Sequence, residues 1–192
     1  MTDREVPAEQ NQGATQTNRV RIGAVIAVAL LVILVVWLVV RGCGQSTPTR
    51  APARTMNLAQ LRAFASSVGH PVYWAGPHPA GSPGGVTYEV SQTRDRSIYI
   101  RYLPPGVAAG SSRKFLTVGT YPNARATATV RQGLARPRAS RARGPAGQVA
   151  VINAARPNSV YFAAPDGRFL IEVYDPAAAR ARGLAPTAAP IR

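Results

Sequence analysis

The chain contains a single cysteine, Cys43, among its 192 residues. One cysteine excludes an internal disulfide framework and a zinc site built on cysteines. A folded domain of this chain must therefore be stabilised by burial and hydrogen bonding alone. Three states of Cys43 stay open from the sequence: a free thiol, a lipidated thiol, or an intermolecular disulfide between two copies.

Acidic residues are also scarce. Eight Asp and Glu stand against 22 Arg and one Lys, which gives a formal net charge of +15. Such a balance favours contact with anionic lipid head groups, phosphate-bearing cell-wall polymers or nucleic acid. A GC-rich genome also produces abundant Ala, Gly, Pro and Arg with almost no Lys, whatever the protein does. The charge alone therefore identifies no partner.

Recognised catalytic and cofactor motifs are missing from the sequence. There is no G-x-S-x-G elbow and no glycine-rich phosphate loop, and the segment 81–85 has a proline where a phosphate cradle needs free amides. His70 and His78 each lie beside a proline, without further ligands at a spacing that suits a metal. We therefore expect no cofactor, no metal and no enzymatic activity.

Charge is absent from one long segment, Ile22–Val40, whose nineteen residues are apolar. As a helix it spans about 28 Å, close to the hydrocarbon thickness of a bilayer. A cleaved signal peptide has a shorter apolar region and a small-residue site. A lipoprotein signal would end at Cys43, but Arg41 stands where that processing site has a neutral residue. We predict a retained transmembrane helix in the cell membrane.

The helix divides the chain into segments of different composition. We predict a disordered cytoplasmic tail (1–21), the transmembrane helix (22–40), a basic Pro-rich linker (41–56), an exported α+β domain (57–184) and a flexible tail (185–192). Two arginines just before the helix favour a cytoplasmic N-terminus. Arginines also follow the helix, so the opposite orientation stays open.

Within the domain, hydrophobic periodicity predicts an antiparallel sheet with two or three helices. Helices are expected at 57–68, with Asn57 or Thr55 as the cap, at 123–134, with Asn123 as the cap, and from 176 to about 184. Strands are expected at 72–76, 86–93, 97–103, 114–121, 148–154, 159–164 and 168–174. The segment 136–147 is predicted to be a mobile basic loop. The turn Pro165-Asp166-Gly167 should close a hairpin.

Two glutamates are the candidates for acid–base chemistry. A three-residue loop after Thr93 places Glu89 opposite Arg101, so we expect a cross-strand ion pair. Glu172 occupies a matching place in an internal echo, which aligns Val72–Pro77 with Val160–Pro165 and 88–90 with 171–173. Such an echo is consistent with a degenerate internal duplication. If both carboxylates faced one cleft they could serve in catalysis, but we expect each to pair with an arginine.

Several short segments carry a resemblance. The segments are RGCG after the apolar run, HPVYWAGP at 70–77, RYLP at 101–104, VGTYP at 118–122 and EVYDP at 172–176. Together they resemble uncharacterised single-pass membrane proteins of actinobacteria. The resemblance implies a single-pass topology and brings no known activity.

These observations favour a membrane-anchored, extracytoplasmic binding module without enzymatic activity. Its expected partners are the bilayer, through 22–40, and anionic lipid head groups or cell-wall polymer. An enzyme of unrecognised type and a cytoplasmic, membrane-tethered nucleic-acid binder are the alternatives, and nucleic acid is the less expected partner. The candidate contacts with an anionic surface are Arg50, Arg54, Arg136, Arg138, Arg141 and Arg143.

Overall fold

The computed structural model describes residues 53–192. The predicted cytoplasmic tail, the apolar segment 22–40, Cys43 and Arg50 lie outside the described residues. Within 53–192, no helix is both long enough and apolar enough to cross a membrane.

The described part of the chain is an α+β fold built on a large antiparallel sheet. Its strands, in chain order, are β1 (Arg54–Met56), β2 (Tyr73–Trp74), β3 (Thr87–Gln92), β4 (Ile98–Leu103), β5 (Thr117–Pro122), β6 (Ser140–Arg143), β7 (Val149–Ile152), β8 (Ser159–Ala163), β9 (Phe169–Tyr174) and β10 (Ala189–Pro190). Eight of them form one sheet in the order β1-β3-β4-β5-β9-β8-β7-β6, and β2 pairs with β10 in a second, two-stranded sheet.

Three α-helices accompany the sheets: α1 (Leu58–Ser67), α2 (Ala126–Leu134) and α3 (Ala178–Leu184). Helix α1 begins as predicted, because Asn57 and Gln60 exchange side-chain and backbone hydrogen bonds of 2.9 Å in a capping box. The N-cap of helix α2 is Arg125, two residues later than predicted. Asn123 does not cap it and instead accepts a hydrogen bond from the backbone N–H of Arg125.

The hydrophobic core lies on one face of the large sheet. Along β4 the residues alternate, and Ile98, Ile100 and Tyr102 are buried on this face. Leu61 of α1 and Leu184 of α3 belong to the same cluster, together with both residues of β2. The opposite face of the sheet carries the polar side chains, and helix α2 contacts it over β7 and β8.

Both predicted hairpins form. Strands β3 and β4 pair with Glu89 opposite Arg101 and Ser91 opposite Tyr99, which is the expected register. Strands β8 and β9 are joined by the predicted turn, in which Gly167 has a φ of +68° and donates to the carbonyl of Ala164. Glycine takes this left-handed conformation without a Cβ penalty.

The segment 136–147 is not the mobile loop that its composition suggested. Residues Ser140–Arg143 form β6, which pairs with β7 along its whole length, and a 3₁₀ turn follows at Pro145–Gly147. Ala142 lies opposite Ala150 in this ladder. Because Ala142 and Ala150 lie on the core side of the pairing, β6 can form the edge strand of the sheet although it carries two arginines.

Two domain boundaries also differ from the prediction. Residues Arg54–Met56, assigned to the linker, form strand β1 and pair with β3. The predicted flexible tail, 185–192, forms a 3₁₀ turn and β10, with Ala185 and Ala188 buried. Both alanines belong to the hydrophobic core. Burial of these small apolar side chains therefore holds the segment against the domain, although it has few large apolar residues.

The segments of the internal echo do not occupy equivalent places. Its first copy contains β2, which lies in the two-stranded sheet, whereas its second copy contains β8, which lies inside the large sheet. The two segments therefore resemble each other because both form β-strands, and they do not occupy equivalent positions in a duplicated fold.

Candidate functional site

Glu89 and Arg101 form a closed ion pair. Nη1 of Arg101 lies 2.8 Å from both carboxylate oxygens, and the N–H of Gly110 donates to Oε2 at 3.1 Å. The other guanidinium nitrogen, Nη2, donates to the carbonyls of Ser111 and Arg113. Glu89 is 1% exposed. This carboxylate has the arginine partner that we expected and offers nothing to a ligand.

The two glutamates do not share a cleft. Glu89 is on β3 and Glu172 on β9, with β4 and β5 between them. At about 4.8 Å per strand, three strand spacings separate them by about 14 Å, beyond the roughly 5–9.5 Å of paired catalytic carboxyl groups. The two-carboxylate arrangement considered from the sequence is therefore absent from the described residues.

Glu172 is held by three hydroxyl groups instead of an arginine. Its Oε1 accepts from Ser159 Oγ at 2.6 Å and from Tyr161 OH at 2.7 Å, and its Oε2 accepts from Tyr121 OH. No ion pair to Glu172 occurs among residues 53–192, so the expectation of an arginine partner was wrong. We call Glu172, Ser159, Tyr121 and Tyr161 the hydroxyl cluster.

A glycine makes this cluster possible. Gly119 pairs with Glu172 across β5 and β9, and Tyr121 leans over Gly119 to reach the carboxylate. A Cβ at position 119 would lie 2.7 Å from the hydroxyl of Tyr121 and 2.8 Å from its ring. The ring of Tyr99 packs edge-on against Tyr121 at 5.5 Å, which fixes the side from which it approaches. A strand glycine that marks such a close approach is the sequence signal for this site.

The surroundings keep the cluster tyrosines protonated. Burial, and then the negative charge of Glu172, raises the pKa of both Tyr121 and Tyr161 above the ordinary value of tyrosine. Both hydroxyls therefore remain hydrogen-bond donors at neutral pH. Arg156 lies beside them, with Nη1 at 3.4 Å from Tyr161 OH, and this hydrogen bond raises the pKa of the guanidinium.

Two open clefts flank the hydroxyl cluster, and Arg156 lines both. The helix-side cleft, of about 320 Å³, lies under α2 and includes Arg136, Gln132, Asn153 and Tyr161. The lysine-side cleft, of about 460 Å³, includes Lys114, Glu172, Ser159, Asn158 and Tyr174. Both volumes are typical of small-molecule sites.

Four of the predicted anion contacts come together at one edge of the sheet. We call Arg136, Arg138, Arg141 and Arg143 the arginine edge; the first two lie between α2 and β6, and the last two in β6 itself. All four are exposed. Arg141 pairs with Val151, which is buried against Gly133 of α2, so Arg141 and Arg143 project on the side of the sheet that carries α2.

Arg54 does not join this group. It lies in β1, at the opposite edge of the eight-stranded sheet, seven strand spacings or about 34 Å away. Arg50 is outside the described residues. The predicted anion contacts among residues 53–192 are therefore divided between the two edges of the sheet, and the arginine edge is the compact group.

The two histidines form no shared site. The ring of His70 stacks on Phe169 with centroids 5.1 Å apart, and its Nδ1 lies 3.0 Å from the carbonyl of Pro71. His78 is exposed in the loop that follows β2. Within the described part of the chain, no group of three or more His, Cys, Asp or Glu could hold a metal ion.

Sequence reasoning missed most of the residues that line the clefts. Lys114, Arg156 and Ser159 line the lysine-side cleft and come from two separate parts of the chain, and only the strand order brings them around Glu172. None belongs to a motif with fixed spacing.

The fold and its clefts define a class: an α+β domain with a covered apolar sheet face, a polar sheet face and a basic edge. Comparisons with protein-family models, with curated proteins and with solved structures found no match to this chain. A functional conclusion must therefore come from the site itself.

Proposed function

We propose that the protein is a non-enzymatic, membrane-anchored binding module whose exported domain holds anionic material of the cell envelope against the arginine edge. The anchor is the apolar segment Ile22–Val40, for which the sequence is the support. The ligand class follows from charge. Polyanions that carry phosphate or carboxylate groups are the chemical match for clustered, unneutralised guanidinium groups.

One observation carries the proposal: the arginine edge is unneutralised. Between positions 96 and 165 the chain has eleven basic residues and no acidic one. Among residues 53–192, the ion pairs involve other arginines, Arg101, Arg168 and Arg180. The edge therefore keeps its full positive potential towards an external anion.

A salt titration with matched variants tests the proposal. The full chain would be placed in nanodiscs of zwitterionic lipid and titrated with fluorescent polyphosphate at about 0.05 M and about 0.5 M salt, where screening lengths differ by about threefold. The test variant replaces the four arginines of the arginine edge with glutamine. The control variant makes the same charge change at four exposed arginines elsewhere, Arg62, Arg94, Arg182 and Arg192.

We expect the test variant to bind two to three orders of magnitude more weakly, since each arginine near an anionic surface contributes about 1 kcal/mol. The control variant should lose much less affinity. Equal losses of affinity in the two variants would show that the net charge of the chain, and not the arginine edge, determines binding. Binding that persists at high salt would contradict a contact made by arginines.

The compartment needs its own experiment. Tags at either end, tested for protease access in intact spheroplasts, would distinguish an exported domain from a cytoplasmic one. Cleavage of the C-terminal tag alone is the expected result. A protected C-terminus would favour the cytoplasmic nucleic-acid binder, although Tyr73, Trp74 and Phe162 are buried and offer no surface on which bases could stack.

The enzymatic alternative has one observation in its favour. Glu172 lines a cleft together with Lys114 and Arg156. However, three donors already hold this carboxylate, and Glu89 is too far away to act as a second acid or base. The arrangement suits recognition of a ligand better than proton transfer.

A further inference from the structure

The hydroxyl cluster leaves part of Glu172 unused. A carboxylate has about four acceptor positions, and a hydroxyl proton can fill each of them. Ser159 and Tyr161 fill the two on Oε1, and Tyr121 fills one on Oε2. One acceptor position on Oε2 has no hydrogen-bond partner among residues 53–192, and Glu172 lines the lysine-side cleft. A ligand in this cleft must therefore supply a hydrogen-bond donor.

Two cations line the same cleft, and neither forms an ion pair within residues 53–192. Lys114 is the only lysine of the chain, it is exposed, and its ammonium group has no partner among residues 53–192. The guanidinium of Arg156 contacts Tyr161 at 3.4 Å and pairs with none of the described carboxylates. A ligand in this cleft must therefore also supply an anion.

These two requirements narrow the ligand class. A simple anion would satisfy Lys114 and Arg156 but would bring unprotonated oxygen towards Glu172. A simple cation or amine would satisfy Glu172 but would meet the two positive side chains. A phosphate attached to a chain of hydroxyl groups satisfies both, because the phosphate is anionic and each neighbouring hydroxyl donates a proton.

We propose that the lysine-side cleft binds a phosphorylated polyol, with its phosphate on Lys114 and Arg156 and a hydroxyl donating to Glu172. This inference rests on the proposed function, since it takes from it the anionic nature of the ligand, and it adds the polyol. The same chemistry occurs in a glycerol-phosphate lipid head group and in a free polymer of polyol phosphate.

Lys114 provides a direct readout. Because it is the only lysine, acetylation of the chain with a limiting amine reagent, followed by peptide mass spectrometry, reports the accessibility of one ε-amino group apart from the N-terminus. The full chain would be studied in a neutral detergent, with glycerol phosphate as the probe and propyl phosphate as the matched anion without hydroxyls. We expect glycerol phosphate to protect Lys114 at a concentration at least tenfold lower than propyl phosphate.

Two variants test separately how the cleft recognises the hydroxyl group and how it recognises the phosphate. Glu172→Gln should abolish most of the tenfold preference for glycerol phosphate over propyl phosphate, because the neutral amide is a weaker acceptor for the hydroxyl and no longer repels the unprotonated oxygens of a simple phosphate. Arg156→Met should weaken both ligands about equally. Arg113→Met, next to Lys114 but outside the cleft, is the control and should change neither. Thermal unfolding of each variant would show that the fold is retained.

Nanodiscs of different lipid composition distinguish a lipid head group from a soluble polymer as the source of the ligand. In nanodiscs without added ligand, protection of Lys114 by phosphatidylglycerol but not by phosphatidylcholine would support a lipid head group. Protection by free glycerol phosphate alone would support a soluble polymer.

The inference is overturned if both phosphates protect Lys114 equally, if neither does, or if Glu172→Gln has no effect on the folded protein. Its failure differs from that of the proposed function. If glycerol phosphate failed to protect Lys114, the arginine edge would still bind polyphosphate in a salt-sensitive manner. If the arginine edge failed to bind polyphosphate, glycerol phosphate would still protect Lys114.

Discussion

Glu89 and Arg101 face each other across β3 and β4, with Nη1 of the arginine 2.8 Å from both carboxylate oxygens. The same guanidinium holds two carbonyls of the loop between β4 and β5. One buried pair therefore ties the sheet to the loop that leads to Lys114.

The first prediction concerns this pair. Arg101→Met should destabilise the domain by about 3–5 kcal/mol, because it leaves the Glu89 carboxylate buried without its counter-charge. Arg168→Met is the control, since the Arg168–Asp166 pair lies at 3.4 Å with the arginine side chain 75% exposed, and its loss should change stability by less than about 1 kcal/mol. Urea unfolding followed by the fluorescence of Trp74, in a Trp37→Phe background, measures both. Equal losses of stability in the two variants would contradict the larger contribution expected from the buried Glu89–Arg101 pair.

The second prediction is a pH dependence. The pKa of Tyr121 is raised in the folded state above its unfolded value of 10.0, so its contribution to stability is complete below pH 10. Above pH 10 the unfolded state loses the phenol proton while the folded state keeps it. Stability must therefore fall as the pH rises, by about 1.4 kcal/mol per pH unit for each such group.

Tyr121→Phe should remove one of these groups and make the alkaline decline shallower. Lys114 is the only lysine, so tyrosines dominate the alkaline titration of the described domain. The measurement is the urea midpoint of both proteins between about pH 8 and about pH 11, the range around the tyrosine pKa. Parallel declines in the two proteins would show that Tyr121 is not buried against Glu172 as described.

The third prediction tests the close approach at Gly119. Gly119→Ala should destabilise the domain by about 1–3 kcal/mol, because the new methyl group displaces the ring of Tyr121 from Glu172. Gly183→Ala is the matched control. It lies in α3 with no atom within 4 Å of the added Cβ, so it should be neutral or should stabilise by up to about 1 kcal/mol.

A double-mutant cycle identifies the cause. In a Tyr121→Ala background, Gly119→Ala should lose most of its effect, because the ring that it displaces is gone. An unchanged effect in that background would place the strain elsewhere in β5.

Local chemistry explains why much of the fold could be predicted. The cap at Asn57, one of the two predicted caps, the alternation in β4 and the Pro165-Asp166-Gly167 turn each depend on a few neighbouring residues, and the structure confirms each. The pairing of Glu89 with Arg101 followed in turn, because a short loop fixes the register of a hairpin.

Long-range order could not be read in the same way. The composition of 136–147 is that of a solvated loop, yet β7 supplies hydrogen-bond partners that draw Ser140–Arg143 into the sheet. The hydroxyl cluster depends on β5 lying beside β9, residues separated by about fifty positions. No local propensity encodes that neighbour.

The C-terminal residues show the same effect and carry the last prediction. The segment 185–192 contains alanines and prolines, which suggested a flexible tail. It instead pairs with β2, and the N–H of Ile191 donates to the carbonyl of Val72 at 2.9 Å. A chain that ends at Leu184 should therefore be destabilised by at least about 2 kcal/mol, since each lost hydrogen bond contributes about 1 kcal/mol and buried apolar surface is exposed as well.

Trp74 reports the loss directly, because it pairs with Ala189 and is only 8% exposed. In the shortened chain its emission should shift to longer wavelength as water reaches the indole ring. Removal of Arg192 alone is the control and should leave both the emission and the urea midpoint unchanged, because that residue is exposed. An unchanged midpoint in the chain that ends at Leu184 would mean that the core is complete without β10, and that composition predicted this segment better than its pairing does.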